Sequence, residues 1–184
     1  MSVQLAKFTV GQYHLMIEAG VFPPEYRAEL IDGEIVEMSP IGPRHASCVG
    51  RLTQMLSLLL QRQAIVWVQN PITLDDLSEP EPDVCVLRPR ADFYGESLPT
   101  PADVLLVIEV SETTLDYDRQ KKLSLYARAC VPEVWIVNLV DGQIETHADP
   151  AGGMYQLSGV ANRGEEVRSR SVSALSLHVS AVLI

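Results

Sequence analysis

Cysteine is scarce in this 184-residue chain. Cys48, Cys85 and Cys130 are odd in number, far apart and without a C-x-x-C pair, which argues against a disulfide framework or a thiolate zinc site. Each sits in an apolar context and is expected to be a small core residue. Positive charge is scarce too: 14 Lys and Arg face 24 Asp and Glu, a net charge of −10. Passive adhesion to nucleic acid is disfavoured, because phosphate contacts need Lys and Arg. Metal-binding acids add negative charge that an ion cancels, so this balance does not exclude a nuclease. Any surface for nucleic acid must then be local or assembled across subunits. No run approaches the roughly 20 apolar residues of a membrane helix. The first eight residues lack the apolar stretch of a signal peptide, and the expectation is a cytoplasmic protein without a membrane partner. A P-loop, a G-x-G-x-x-G and a G-x-S-x-G are all missing, and His14, His147 and His178 show no ligand spacing.

What is present is a folded chain, 47% hydrophobic and long enough for one domain over residues 1–184. Thr9-Val-Gly-Gln12 has capping-box spacing, and the helix it starts is expected to end near Gly20. Asp32-Gly33 lies between two alternating runs and predicts a hairpin with Glu29 on its first strand. His45 to Gln63 reads as a helix with Val49, Leu52, Met55, Leu56, Leu59 and Leu60 on its packing face. Strands are expected at Ala64–Gln69, Pro82–Leu87, Val104–Val110 and Val134–Leu139, with Pro71–Leu74 extending the first or starting another. Residues 88–103 predict an irregular loop, a candidate lid or substrate contact. A helix should span Tyr117 to Ala129. Asp141-Gly142 predicts a second hairpin, Met154–Leu157 a short strand, and the alternating tail from Leu175 an edge strand.

The stretch from Pro82 to Tyr126 organises the rest. Two buried strands each carry one acid, Asp83 and Glu109. A buried carboxylate is costly unless paired, hydrogen-bonded or metal-bound, and two neighbours repel unless a hard cation joins them. The plainer alternative is that both sit at strand ends facing water. On the following helix, Leu115, Asp118, Lys122, Leu125, Tyr126 and Ala129 share one face. Lys122 either pairs with Asp118 and snorkels to the edge, or reaches the acids. There it could orient or help deprotonate a water, or stabilise charge on a phosphate. His45 follows Gly42-Pro43-Arg44 at a helix start, where an imidazole can contact a phosphate or simply cap or pack. Tyr126 either bonds an acid or packs. Trp67 and Trp135 read as core.

These pieces occur in a recognisable order. Glu29-Leu-Ile-Asp-Gly-Glu-Ile-Val, His45, Pro82-Asp83-Val, Ile108-Glu109-Val-Ser111, the Asp118/Lys122/Tyr126 spacing and Val131-Pro-Glu-Val-Trp-Ile-Val together resemble the Uma2 family, also called DUF820, over about the first four-fifths of the chain. That family belongs to the PD-(D/E)xK, restriction-endonuclease-like superfamily. The resemblance implies an α/β (α+β) fold, a mixed β-sheet core flanked by helices with hairpin additions. It also implies a Mg²⁺ (or Mn²⁺) phosphodiesterase site. Asp83 takes the place of the first acid and Glu109 the second, with the Val110 carbonyl as a further ligand and Glu29 as a third acid, or else a hairpin surface charge. The superfamily lysine two residues after Glu109 is Ser111 here, and Lys122 is its natural replacement.

The function expected is a metal-dependent endonuclease acting on DNA. Asp83, Glu109 and Lys122 would be catalytic, and His45, Ser111, Asp118 and Tyr126 would support them or contact substrate. The alternative is an inactive module of the same fold that binds protein or nucleic acid; a small phosphoester substrate is a third reading. A homodimer is expected on general grounds. Substrate contacts are sought at Arg88 and Arg90, or at Arg44 and Arg51.

Overall fold

The structure is a computed structural model, and it describes residues 5–183. Helix α1 (Val10–Glu18) starts at Thr9, whose hydroxyl accepts from the Gln12 amide while the Gln12 side chain accepts from the Thr9 amide. This reciprocal cap is the one its spacing predicted. Asp32 and Gly33, with φ of 51° and 78°, turn β1 (Ala28–Ile31) into β2 (Glu34–Glu37). Helix α2 (Pro43–Leu60) follows.

The core is a six-stranded mixed sheet in the order β3-β4-β5-β6-β7-β8. Its strands are β3 (Ile65–Val68), β4 (Val84–Leu87), β5 (Val104–Ser111), β6 (Glu133–Asn138), β7 (Gln143–Ala151) and β8 (Met154–Asn162). Only β5 and β6 pair in parallel, which requires a crossover. That crossover is helical: α3 (Leu115–Tyr117), a π-turn over Asp118–Lys122, then α4 (Leu123–Arg128). Strand alternation sorts the side chains. Val84, Val86, Leu106, Ile108 and Val110 pack with Cys48, Val49, Leu52 and Leu56 of α2. Cys85, Leu87 and Val107 turn to the other face, with Leu125 and Tyr126 of α4. By the same period of two, Glu109 and Ser111 share the face of Val107 and so meet the crossover helix.

Several expectations change in detail. Helix α2 begins two residues earlier, with Pro43 in its first turn where a missing amide costs nothing, and Leu59 is exposed. Pro71–Leu74 is no strand; Ile72 and Leu74 donate to the carbonyls of Pro80 and Ser78 instead. The tail is not an edge strand of the main sheet. Only Ser176–His178 is extended, as β10, paired with an unforeseen β9 (Glu166–Arg168), and Val179–Val182 then forms α5. Its apolar residues Leu175, Leu177, Val179 and Val182 fill the α2 side of the core, so the alternation recorded burial rather than an edge. Cys130 is exposed, at φ 60° in the turn after α4, while Cys48 and Cys85 are buried. Trp135 is fully buried and Trp67 only partly. No helix among the described residues is long and apolar enough to cross a membrane.

Candidate active site

Antiparallel pairing of Val84 with Ile108 puts Asp83, just ahead of β4, beside Glu109 on β5. The Asp83 amide lies 3.4 Å from Glu109 Oε2, and Asp83 Oδ2 accepts from the Val110 amide at 2.9 Å. The first turn of α2 and the end of β3 close on the same carboxylate. His45 Nε2 is 3.0 Å from Asp83 Oδ2, and Gln69 Nε2 donates to Oδ1 at 3.2 Å.

The crossover helix supplies the rest through its widened turn. The Leu123 amide bonds the carbonyl of Asp118, five residues back. Such π-turns are rare and concentrate at functional sites. This one carries two buried charges. Lys122 Nζ stands 3.0 Å from Glu29 Oε2 and 3.3 Å from Glu109 Oε1. Asp118 is not its direct partner; Asp118 Oδ2 accepts from the Ser111 and Thr114 hydroxyls, each at 2.7 Å. One turn on, the Tyr126 hydroxyl donates to Glu109 Oε1 at 2.6 Å. Ser111 thus anchors the helix that carries Lys122.

The electrostatics follow from burial and crowding. Glu109 is 3% exposed. Burial pushes its carboxyl up to about 8; Lys122 opposes the shift, while Asp118, Asp83 and Glu29 add to it. Burial likewise raises Asp118, against the pull of Lys122 and its two hydroxyl donors. Burial works against the charge of Lys122, but Glu109, Glu29 and Asp118 outweigh it and hold the ammonium well above the usual lysine range. The hydrogen bond to Asp83 raises His45.

These groups open on a cleft of about 400 Å³. Its lining holds seven carboxylates, those of Glu29, Glu37, Glu81, Asp83, Glu109, Glu112 and Asp118, against Arg27, Lys122 and His45. Asp83, Glu109, Lys122, Glu29, His45 and Asp118 therefore share one cavity, with Ser111 and Tyr126 bonded just behind its wall. Glu29 is buried, and its Oε2 also accepts from the Glu81 amide, so it is no hairpin surface charge. Among the described residues no three His, Cys, Asp or Glu side chains form a ready metal cluster.

Arg27, Gln69, Glu81 and Tyr117 line the cleft and were not singled out from the sequence. Arg27 sits two residues before Glu29 on the same extended run, and that spacing was the available signal. The loop over 88–103, by sequence a candidate lid or substrate contact, lies away from the cleft. It joins the opposite ends of β4 and β5, contributes nothing to the cleft, and is pinned by Arg90 on Asp92 and by Arg90 stacked 3.9 Å over Tyr94. Arg44 binds Glu112 and the Leu139 carbonyl. Neither Arg44 nor Arg51 lines the cleft.

The profile of the Uma2 family, described as "Putative restriction endonuclease", matches residues 10–180. The chain belongs to the Uma2 family. No curated protein matches it. A similar solved structure is that of "a putative nuclease belonging to DUF820" from Anabaena variabilis, 16% identical, with a TM-score of 0.73 over 95% of this chain and 97% of that one. At that identity the likeness establishes a shared fold: the restriction-endonuclease-like mixed sheet is the architecture of this Uma2 chain.

Proposed function

We propose that this Uma2 chain is a divalent-metal-dependent nuclease that hydrolyses phosphodiester bonds, with DNA as substrate. The observation that carries the reading is the reach of Lys122 past Asp118 to Glu109, in the open cleft that also holds Asp83. A lysine spent on a structural i,i+4 pair would have no reason to lie there.

The donor set suits Mg²⁺ or Mn²⁺. Mg²⁺ commonly takes one or two carboxylates and completes its shell with water and substrate phosphate. Asp83 and Glu109 are adjacent, Glu109 is buried with like charges around it, and the Val110 carbonyl is next in the chain. An ion there relieves a repulsion that the fold otherwise carries. Asp83, Glu109 and the Val110 carbonyl would hold it, with Glu29 beside them through Lys122. When bound, it would supply Lewis acidity and a water of lowered pKa.

The remaining work belongs to the chain. Glu109, Glu29 and Asp118 favour the charged form of Lys122, which suits it to stabilise charge on the phosphate or to orient the water. Tyr126 and the Val110 amide fix the rotamers of Glu109 and Asp83. His45 lines the same cleft, and its bond to Asp83 favours the protonated ring. The seven carboxylates mean that a phosphate backbone enters only with a cation.

Cleavage of plasmid, single-stranded DNA and RNA with and without Mn²⁺ tests this reading. The expected result is cation-dependent cleavage lost in Asp83→Asn. Cleavage that ignores both EDTA and Asp83→Asn would sink it. No cleavage of any substrate would leave the chain a nuclease-fold binding module.

A further inference from the structure

Beside the cleft runs a second groove, about 520 Å³, which the proposed chemistry does not use. Tyr13, Phe22 and Tyr26 line it with Pro71. Phe22 and Tyr26 stack at 5.2 Å with 9° between their planes, and Tyr13 leans on Phe22 at 6.1 Å. The platform is stiff. Pro23 and Pro24 fix the chain between the two stacked rings, the Tyr26 amide bonds the Pro23 carbonyl, and the Tyr13 hydroxyl bonds the Ala28 carbonyl. The groove adjoins the cleft, because Arg27 and Glu81, paired with each other, line both. From Tyr26 to Glu29 the extended chain covers roughly 10 Å, about the reach of a nucleotide or two.

We propose that this groove is a stacking subsite for an unpaired base beside the scissile phosphate, so that the substrate is a single strand or a frayed, flapped or looped nucleotide rather than intact duplex. The inference rests on the nuclease reading of the neighbouring cleft. Charge makes the same point. Arg27, Arg44, Arg90, Arg119, Arg128 and Arg168 each already face a carboxylate. With 24 Asp and Glu against 14 Lys and Arg, the chain gains little from counterion release, the main source of affinity for duplex. Aromatic stacking works without a basic surface and accepts any base, but only when the base is out of its pair. A preset platform spends little ordering entropy on binding.

The experiment is equilibrium binding of short oligonucleotides carrying 2-aminopurine, in Ca²⁺ so that cleavage does not intervene. DNA and RNA strands are each compared with their duplexes. The parent is expected to bind the single strand at least tenfold tighter than duplex and to quench the probe. Tyr26→Leu and Phe22→Leu are expected to weaken single-strand binding about 5- to 100-fold, the loss of one stacked base. Since either variant could disturb packing, the parent is also measured against strands with one abasic site, scanned along the oligonucleotide. One position should reproduce the loss. Equal affinity for single strand and duplex, or a flat abasic scan, overturns the proposal. So does an oligonucleotide that does not bind at all, which would point to an apolar peptide as occupant. Failure of the nuclease reading shows separately, as a strand that binds and quenches but is never cut in Mg²⁺.

Discussion

Glu109 and Glu133 lie on neighbouring strands of one sheet, 3% and 1% exposed, and the fold treats them in opposite ways. Glu133 faces the α2 side and is saturated by neutral donors. Its Oε1 accepts from the Trp135 indole at 2.7 Å. Its Oε2 accepts from the Ser169 and Ser171 hydroxyls, both at 2.7 Å, and from the Arg170 and Ser171 amides, both at 2.9 Å. Nothing is left over for a ligand, and the carboxylate fastens residues 169–171 to the sheet. Glu109 faces the crossover helix. Its Oε1 is held by Tyr126 and Lys122, its Oε2 has only the long contact to the Asp83 amide, and three further acids crowd it. Burial alone therefore does not mark a functional acid. The acid proposed to hold the ion is buried, under-supplied with donors, surrounded by like charge and open to a cleft.

Substitutions should separate the two. The largest effect is expected at the cleft. Asp83→Asn or Glu109→Gln should lower cleavage by about 10⁴-fold, about 5 kcal/mol of transition-state stabilisation, with little loss of Tm. Glu133→Ala should do the reverse. It strands five donors and should cost about 3–4 kcal/mol in urea unfolding, while cation affinity stays at the parent's value. Lys122→Met should slow cleavage about 10²-fold and leave cation binding in place, which kinetics and calorimetry would resolve.

The pH dependence gives a finer contrast. The folded pKa of Glu109 is raised from 4.5 to about 8, so between those values the native state holds a proton that the unfolded chain has lost. Its contribution to stability is therefore present at low pH and fades as pH rises through this window, by at most about 1.4 kcal/mol per pH unit. Unfolding of the cation-free protein should show that decline, and Glu109→Gln should flatten it. The smallest effect is expected from Tyr126→Phe, about 1 kcal/mol in stability with a modest loss of rate.

The contrast also explains what the sequence could reveal. Glu109 stands out because it interrupts an apolar strand, Asp83 because it leads directly into one, and Lys122 because it interrupts an apolar helix face. Each is a local conflict of composition with pattern, visible in a window of a few residues. The Asp32-Gly33 hairpin and the Thr9 cap were legible for the same reason. The donors of Glu133 were not, since Ser169 to Ser171 lie more than 30 residues away and look like any polar turn. Arg27, Gln69 and Glu81 reach the cleft only because β1, β3 and the run before β4 end at one place. The π-turn leaves no signature that a 100° periodicity can register. For the loop at 88–103 composition alone suggests a functional part, and composition does not say at which end of a strand a loop sits.

The most direct measurement is calorimetric titration of Mn²⁺ into the parent, Asp83→Asn, Glu109→Gln and Glu133→Gln, each with and without an uncleavable phosphodiester strand. The expected result is binding in the parent and in Glu133→Gln, and none in the two cleft variants. Absence of binding in the parent under both conditions, or binding that survives loss of Asp83 and of Glu109, would contradict the account.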